Sequence, residues 1–464
     1  MQIHWHRRDL RARDNAALAA ADGPILPVFV FDDAVLAHAA PPRVAFLLDA
    51  LAALRAWYRE RESDLLVARG DPRERLPALA DEHDADAVTW AEDYSGLAAD
   101  RDEAVRRALT DAGVESRAVT DAVLHAPGSI TTNEGEPYAV FSYYGRKWLD
   151  RPADDPHAAP AADALAPAED DPLPGLADLG FDDPEATVPP AGQDVARDRL
   201  ESFCAGPIYR YAERRDYPAE NGTSRLSPHL KFGTVGVRAV YAATERAMGD
   251  ADGEDERESV TEFRRQLAWR EFYAQVLADD PSVVTENYRE YANPIEWRED
   301  PAALRAWQDG ETGYPLVDAG MRQLREEAWM HNRLRMVVAS FLTKDLLIDW
   351  RRGYEWFREK LVDHDPANDS GGWQWAASTG TDAQPYFRIF NPASQCAQYD
   401  PDGGYVREYV PELRGVDAEL IHEWPDLSAE RRSELAPDYP DPIVDHAERR
   451  EQAIAMFEAA RGES

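Results

Sequence analysis

The stretch ILPVFVF, residues 25–31, constrains this chain more than any other. Seven apolar residues run without polar alternation, so a strand here has no face to give to water. Such a strand belongs inside a parallel sheet covered by helices on both sides. Its surroundings fit that reading. IHW (3–5) comes before it, and DLLVARG (64–70), AVTWAE (87–92) and ESRAV (115–119) follow as further strand candidates. Between them, Arg43 to Arg61 places apolar residues at helical spacing. The alternation predicts an α/β domain with a parallel sheet over residues 1–130. No GxGxxG follows the first strand and no Gly-Lys pair occurs, so a dinucleotide fingerprint and a P-loop are both absent.

The pattern then changes twice. Residues 131–194 are expected to form an interdomain linker. From position 151 the run RPADDPHAAPAADALAPAEDDPLPG is rich in Ala, Pro and Asp and can bury little apolar surface. Residues 195–464 show helical periodicity, many aromatics and few strand signals, which predicts an all-α domain. Its strongest helices are expected at 260–277, 315–329 and 330–350. A chain of 464 residues is long enough for such a division into two or three domains. No stretch approaches the ~20 apolar residues of a membrane span, and the N-terminus lacks an apolar signal region. A cytoplasmic protein with no membrane partner is expected. The two cysteines, Cys204 and Cys396, fit no metal spacing, and no metal is expected.

Charge adds a second constraint. The formal net charge is -37, and only Lys147, Lys231, Lys344 and Lys360 are lysines, so 47 of 51 basic residues are arginine. An acidic, lysine-poor surface is read as adaptation to concentrated salt, which screens the self-repulsion. The acid is not uniform. From Phe203 to Gly233, Arg210, Arg214, Arg215, Arg225 and Lys231 stand against Glu213, Asp216 and Glu220. Within that stretch, TSRLSPHLKFG (223–233) sets hydroxyl groups before a helix start, which suits a phosphate or serves as an ordinary cap.

Further motifs lie in the helical half. DHD (363–365) offers carboxylates for an ion pair with a nearby arginine such as Arg335, a better reading than a metal pair without further ligands. Asn332 and Met336 are four apart and share a helix face. Trp297, Trp307, Trp329, Trp350, Trp356, Trp373 and Trp375 give this half a heavy indole load. Most of these belong to a core. Several together could form a stacking platform for bases or a chain of redox-active rings.

WHRRDLRARDN, TSRLSPHLKFG, QLAWREFY, WMHNRLRM and GGWQWAASTGTDAQPYFRIFNP, in that order, resemble the photolyase/cryptochrome flavoproteins. The resemblance spans essentially the whole chain and is closest to class I photolyases that repair cyclobutane pyrimidine dimers. It implies a Rossmann-like N-terminal antenna domain and a C-terminal all-α domain holding FAD. It implies UV-damaged DNA as partner, a monomer without protein partners, and an antenna chromophore, with 8-hydroxy-5-deazaflavin favoured over methenyltetrahydrofolate. His4, His6, Arg7 and Arg8 are candidates to line the antenna cleft or to cap the sheet.

Carried over by motif, Tyr211, Thr223, Ser224, Leu226, Ser227 and Arg270 match positions around the flavin phosphates and ribitol. Arg335 and Asp363 match the ion pair beside its ring, with Asp365 close by. Trp373, Trp350 and Trp297 match a three-tryptophan electron chain. Trp269 and Trp375 match the rings that cradle the extruded dimer, and Arg215, Asn332, Arg333 and Met336 match its other neighbours. The mechanism implied is electron donation from photoexcited FADH⁻ to the dimer. Two positions depart from the class I pattern. Gln266 replaces a glutamate that hydrogen-bonds the damaged bases, as in (6-4) photolyases, and Asp369 replaces an asparagine beside flavin N5, as in plant cryptochromes. A blue-light photoreceptor, a (6-4) photolyase and a non-catalytic FAD or nucleic-acid binder therefore stand as alternatives.

Overall fold

The computed structural model describes residues 1–462. Five parallel strands form one sheet in the order β3-β2-β1-β4-β5. They are β1 (Gln2–His6), β2 (Ile25–Phe31), β3 (Leu66–Arg69), β4 (Ala87–Ala91) and β5 (Glu115–Val119). Every residue of β2 is buried, as its uninterrupted apolar run requires. On one face, Phe46, Leu51, Leu54 and Tyr58 of the helix Pro41–Arg59 pack under the sheet. On the other, Leu76, Leu79, Val105 and Leu109 from the helices Pro72–Glu82 and Gly96–Asp111 close over Ile3, Val28 and Trp90. β3 starts later than its apolar sequence, because Asp64 is tied down by Arg55 and Arg59.

The strand order reverses direction at β1. In parallel α/β sheets, a crevice opens beyond the carboxyl ends of the strands at such a point.

The segment 131–194 is not uniform. Phe141–Asp150 is a helix whose Phe141, Tyr144 and Trp148 pack with Leu267 and Phe272 of the helical half. Beyond it the chain is mostly irregular and follows the sheet. Leu165 pairs with Ile25, and Asp170 accepts a hydrogen bond from Val67 N at 2.6 Å.

The helical half is organised by the 26-residue helix Glu254–Asp279 and by Pro315–Glu327. The single helix expected at 330–350 is instead broken. Asn332–Ser340 is α-helical, Phe341–Asp345 is a π-helical turn, and Leu347 takes φ 58°. A left-handed leucine ends the run, and Asp349 then caps a new helix, Trp350–Lys360, by accepting from Arg351 N. An apolar run alone does not reveal such a break. Trp350 therefore opens a helix instead of closing one. Among the described residues, no helix is long and apolar enough to cross a membrane.

Candidate functional site

A cavity of ≈ 520 Å³ lies in the crevice where the sheet faces the helical half. Trp5 to Arg8 at the end of β1, Phe31 and Asp32 after β2, and Asp93 to Ala98 after β4 form one wall. Lys231, Arg270, Tyr354, Arg358 and His364 to Asn368 form the other. Seven cations line it, Arg7, Arg8, Arg43, Arg101, Lys231, Arg270 and Arg358, against the three carboxylates of Asp32, Asp93 and Asp365. Arg7 and Arg101 are held by Asp102, just outside the lining, and the cations that remain still outnumber the carboxylates, which suits an anion in a chain of net charge -37.

The charges are held in place across the two halves. Arg8 donates to Asp93 at 3.0 Å and to Asp365 at 2.7 Å, and Lys231 Nζ is 3.8 Å from Asp365. Burial raises the cost of charging Asp365, but the Arg8 guanidinium and the Lys231 ammonium hold its carboxyl well below the usual range. Burial pushes the Lys231 ammonium down to about 8. Arg270 is fixed by the carbonyls of Ala122, at 2.7 Å, and Leu230.

Arg270 and Asp365 are the expected cofactor residues that line this cavity. Behind it, Arg335 binds both oxygens of Asp363 at 2.9 and 2.7 Å, the ion pair anticipated from the DHD motif. Asp369 is tied into the same cluster. It lies 3.8 Å from Arg335 and accepts from Asp365 N at 3.1 Å, and its Oδ2 is 2.6 Å from His364 Nδ1. Burial lowers the His364 pKa while the Asp369 carboxylate opposes it. Elsewhere, Tyr211 is buried in the core beneath Arg215, Leu226 is buried, and Thr223 and Ser224 are half-buried. Ser227 is exposed, its Oγ accepting from Trp329 Nε1 at 3.2 Å.

The local basic excess of 203–233 does not persist as free charge. Arg210 pairs with Glu213, Arg214 with Glu220, Arg215 with Glu262, Arg225 with Glu327, and Lys231 with Asp365. Three of those carboxylates come from distant sequence, which local counting cannot see.

The tryptophans separate by depth. Trp373 and Trp350 are fully buried, and Trp297 is half-buried. A Cβ on Gly353 would fall 2.1 Å from Trp373 Cη2, so this glycine lets the indole lie on the helix that starts at Trp350. Gly353 is three residues from Trp350 and shares its face. Trp350 Nε1 donates to Asn287 Oδ1 at 2.9 Å, and Arg298 N, next to Trp297, donates to Leu347 O at 2.7 Å. Trp373 meets Trp307 and Phe357, Trp350 meets Tyr354, and Trp297 meets Phe457, each close to edge-on.

A second constellation lies on the helix Glu254–Asp279. Trp269 stacks on Phe141 at 3.7 Å, and Trp375, two residues beyond Trp373, is half-buried beside Phe390. No ring contact joins Trp269 to Trp375, but their helices meet where Gly371 sits on Tyr273. Arg215 donates to Gln266 Oε1 at 3.1 Å, Arg333 pairs with Asp216 at 2.9 Å, and Asn332 Nδ2 reaches Met336 Sδ at 3.7 Å.

His6, Arg7 and Arg8 line the cavity, whereas His4 lies buried behind it. His4, His6 and Asp9 sit close enough to hold a metal ion. Each ring nitrogen is already engaged, His4 by Asp9 and Thr89 and His6 by Asp9 O and Tyr58, and Asn15 Nδ2 donates to Asp9 at 2.9 Å in their midst. That arrangement is a satisfied polar network. Tyr354, His364, Asp93 and Glu262 are site residues that sequence reasoning passed over. Only the HD within DHD gave any signal for His364.

Residues 2–163 match the family described as DNA photolyase, and residues 263–459 match the FAD binding domain of DNA photolyase. A deoxyribodipyrimidine photo-lyase of Halobacterium salinarum is 62% identical over 480 aligned positions, covering 100% of both chains. A class III photolyase of Agrobacterium tumefaciens superposes with TM-score 0.92 at 37% identity, covering 99% of this chain and 98% of its own. An archaeal photolyase from Sulfolobus tokodaii, solved with two FAD molecules, superposes with TM-score 0.80 at 31% identity over 99% of each chain. This chain belongs to the DNA photolyase family.

Proposed function

We propose that this chain performs light-driven DNA repair, splitting cyclobutane pyrimidine dimers, and that its residues divide the work as follows. The observation that carries the reading is the cation-lined cavity between the sheet and the FAD-binding domain in an otherwise strongly acidic chain. The surplus of cations and the aromatic and apolar lining fit an anionic chromophore between the two halves, with Arg270 and Asp365, the two cofactor residues that border it, on its helical wall. When bound, the reduced flavin supplies the photoexcited electron.

The residues' own part is positional. Arg270 and the 223–227 turn bind phosphate and ribitol. Arg335, Asp363 and Asp365 fix the charge around the ring, and Asp369 holds His364 beside them by a hydrogen bond. Trp373, Trp350 and Trp297 conduct electrons inward from the surface. Trp269 and Trp375 stack the extruded lesion while Arg215, Gln266, Asn332, Arg333 and Met336 border it. A damaged base leaves the stack at a cost of about a few kcal/mol, least where pairing is already weak.

The β1 end of the cavity, with Trp5, Arg7, Phe31 and Tyr94, is read as the antenna subsite. The Sulfolobus enzyme holds two FAD molecules, with the implication of a light-harvesting cofactor, and for this chain we favour 8-hydroxy-5-deazaflavin over methenyltetrahydrofolate. A cytoplasmic monomer acting on UV-damaged DNA completes the reading.

The test is direct. The protein is purified in molar potassium chloride, its flavin reduced, and single-stranded oligothymidylate carrying dimers added. Recovery of thymine absorbance under blue light, absent in the dark, is expected. A folded, flavin-loaded protein that gives no recovery refutes the reading.

A further inference from the structure

Gln266 and Glu262 lie four residues apart on the helix Glu254–Asp279, and so share a face. Gln266 Nε2 donates to Glu262 Oε1 at 2.8 Å, while Gln266 Oε1 accepts from Arg215 Nη2 at 3.1 Å. Glu262 also takes hydrogen bonds from Arg215 and Arg265. A guanidinium only donates and a carboxylate only accepts. Flipping the amide would set its NH₂ against the guanidinium and its oxygen against the carboxylate, two repulsions in place of two bonds. The group is partly shielded, with the Arg215 and Glu262 side chains 18% and 20% exposed.

We propose that Glu262 is the positioning residue of lesion recognition: it locks the Gln266 amide in one orientation. This deepens the dimer-repair reading and rests on it. Each half of the locked amide keeps one function free. The 3.4 Å approach of Nε2 to the Glu262 carbonyl is too long to hold the second N–H strongly. A free N–H beside a free lone pair matches the imide edge of a thymine, where N3–H stands beside a carbonyl. A glutamate at 266 would offer acceptors alone and would stand one turn from the Glu262 carboxylate, where like charges repel.

The test is dark binding, by fluorescence anisotropy at fixed salt, to oligonucleotides with and without a thymine dimer. Glu262→Gln is nearly isosteric, and its melting temperature checks the fold. It is expected to weaken dimer binding about three- to tenfold. Undamaged DNA should bind equally well or better, because one negative charge is gone. A general structural defect would weaken both. A dimer methylated at N3 should bind wild type as weakly as the plain dimer binds the variant, with little further loss in the variant. A Glu262→Gln protein that keeps the wild-type preference within about twofold overturns the proposal. A wild type that binds both oligonucleotides equally overturns the functional reading itself, a separate outcome.

Discussion

Two clusters of buried charge join the sheet domain to the helical half, built from the same residue types and opposite in design. In one, Arg11 donates to Asp121 at 2.6 Å and Arg238 to Asp14 at 2.7 Å and also to Asp121, all with side chains at most 6% exposed. A Cβ on Gly236 would sit 1.8 Å from Asp14 Oδ2, so only glycine lets the helix Val237–Asp250 begin against that carboxylate. Two cations meet two carboxylates, and nothing is left over. In the other, Arg8, Lys231, Asp93 and Asp365 border open space among surplus cations. Where charges balance, the interface is closed and holds the domains. Where they do not, the chain has left room for a partner it must attract.

Breaking the closed cluster should cost most. Asp121→Asn strips two buried guanidiniums of their shared partner, and is expected to destabilise by about 3–5 kcal/mol. Asp365→Asn should cost well under half of that, because Arg8 keeps Asp93, an asparagine can still cap the helix Pro366–Ala377, and the cluster borders open space where water can solvate the freed cations. Urea unfolding in molar potassium chloride and at low salt would compare them. The Asp121 effect should be the same in both, since buried pairs are little screened, while the parent protein gains stability with salt. Equal costs for the two variants would erase the distinction between the clusters.

A third closed site sharpens it by lacking a cation of its own. Glu271 accepts from Leu124 N at 2.5 Å, Trp148 Nε1 at 2.7 Å and His125 N at 3.3 Å. Burial pushes its carboxyl up to about 7 from 4.5, against the pull of those donors. The folded protein then binds more protons than the unfolded chain between those values. Stability should therefore fall as pH rises through that window, by up to about 3 kcal/mol. The slope should be present in the parent and absent from Glu271→Gln in urea unfolding across pH 4.5–7.5. If the parent shows no excess slope, the three donors keep Glu271 ionised throughout.

These clusters also divide what sequence could and could not reveal. The sheet was legible because ILPVFVF and AVTWA carry their burial in their own residues, whereas β5, with no buried residue, was legible only from the alternation of strands and helices. The helix Glu254–Asp279 was legible, like ILPVFVF, from its own residues. The broken helix after Asn332 was not, because the break is made by one left-handed residue and a cap within an apolar run. The charge pairs that shape the site were legible only in part. Arg335 with Asp363 lies within one motif set, but Arg8 with Asp365 spans 357 positions and Arg215 with Glu262 spans 47. Ion pairing across such distances has no period. It follows from which faces the packed helices present.

The smallest test uses two adjacent glycines on the helix Pro366–Ala377, which carries Trp373 and Trp375. A Cβ on Gly371 would lie 2.2 Å from Tyr273 Cδ1, whereas a Cβ on Gly372 meets nothing within 4 Å. Gly371→Ala must push this helix from Glu254–Asp279 and is expected to cost about 1–3 kcal/mol. Gly372→Ala fills open space on a helix and should gain about 0.5–1 kcal/mol. Melting temperatures should thus move in opposite directions. Dimer binding should follow Gly371 alone, because Trp269 and Trp375 keep their spacing only while the two helices touch at Tyr273. If both alanines stabilise, the helices do not meet there, and the cradle proposed for Trp269 and Trp375 needs another account of what holds its two walls together.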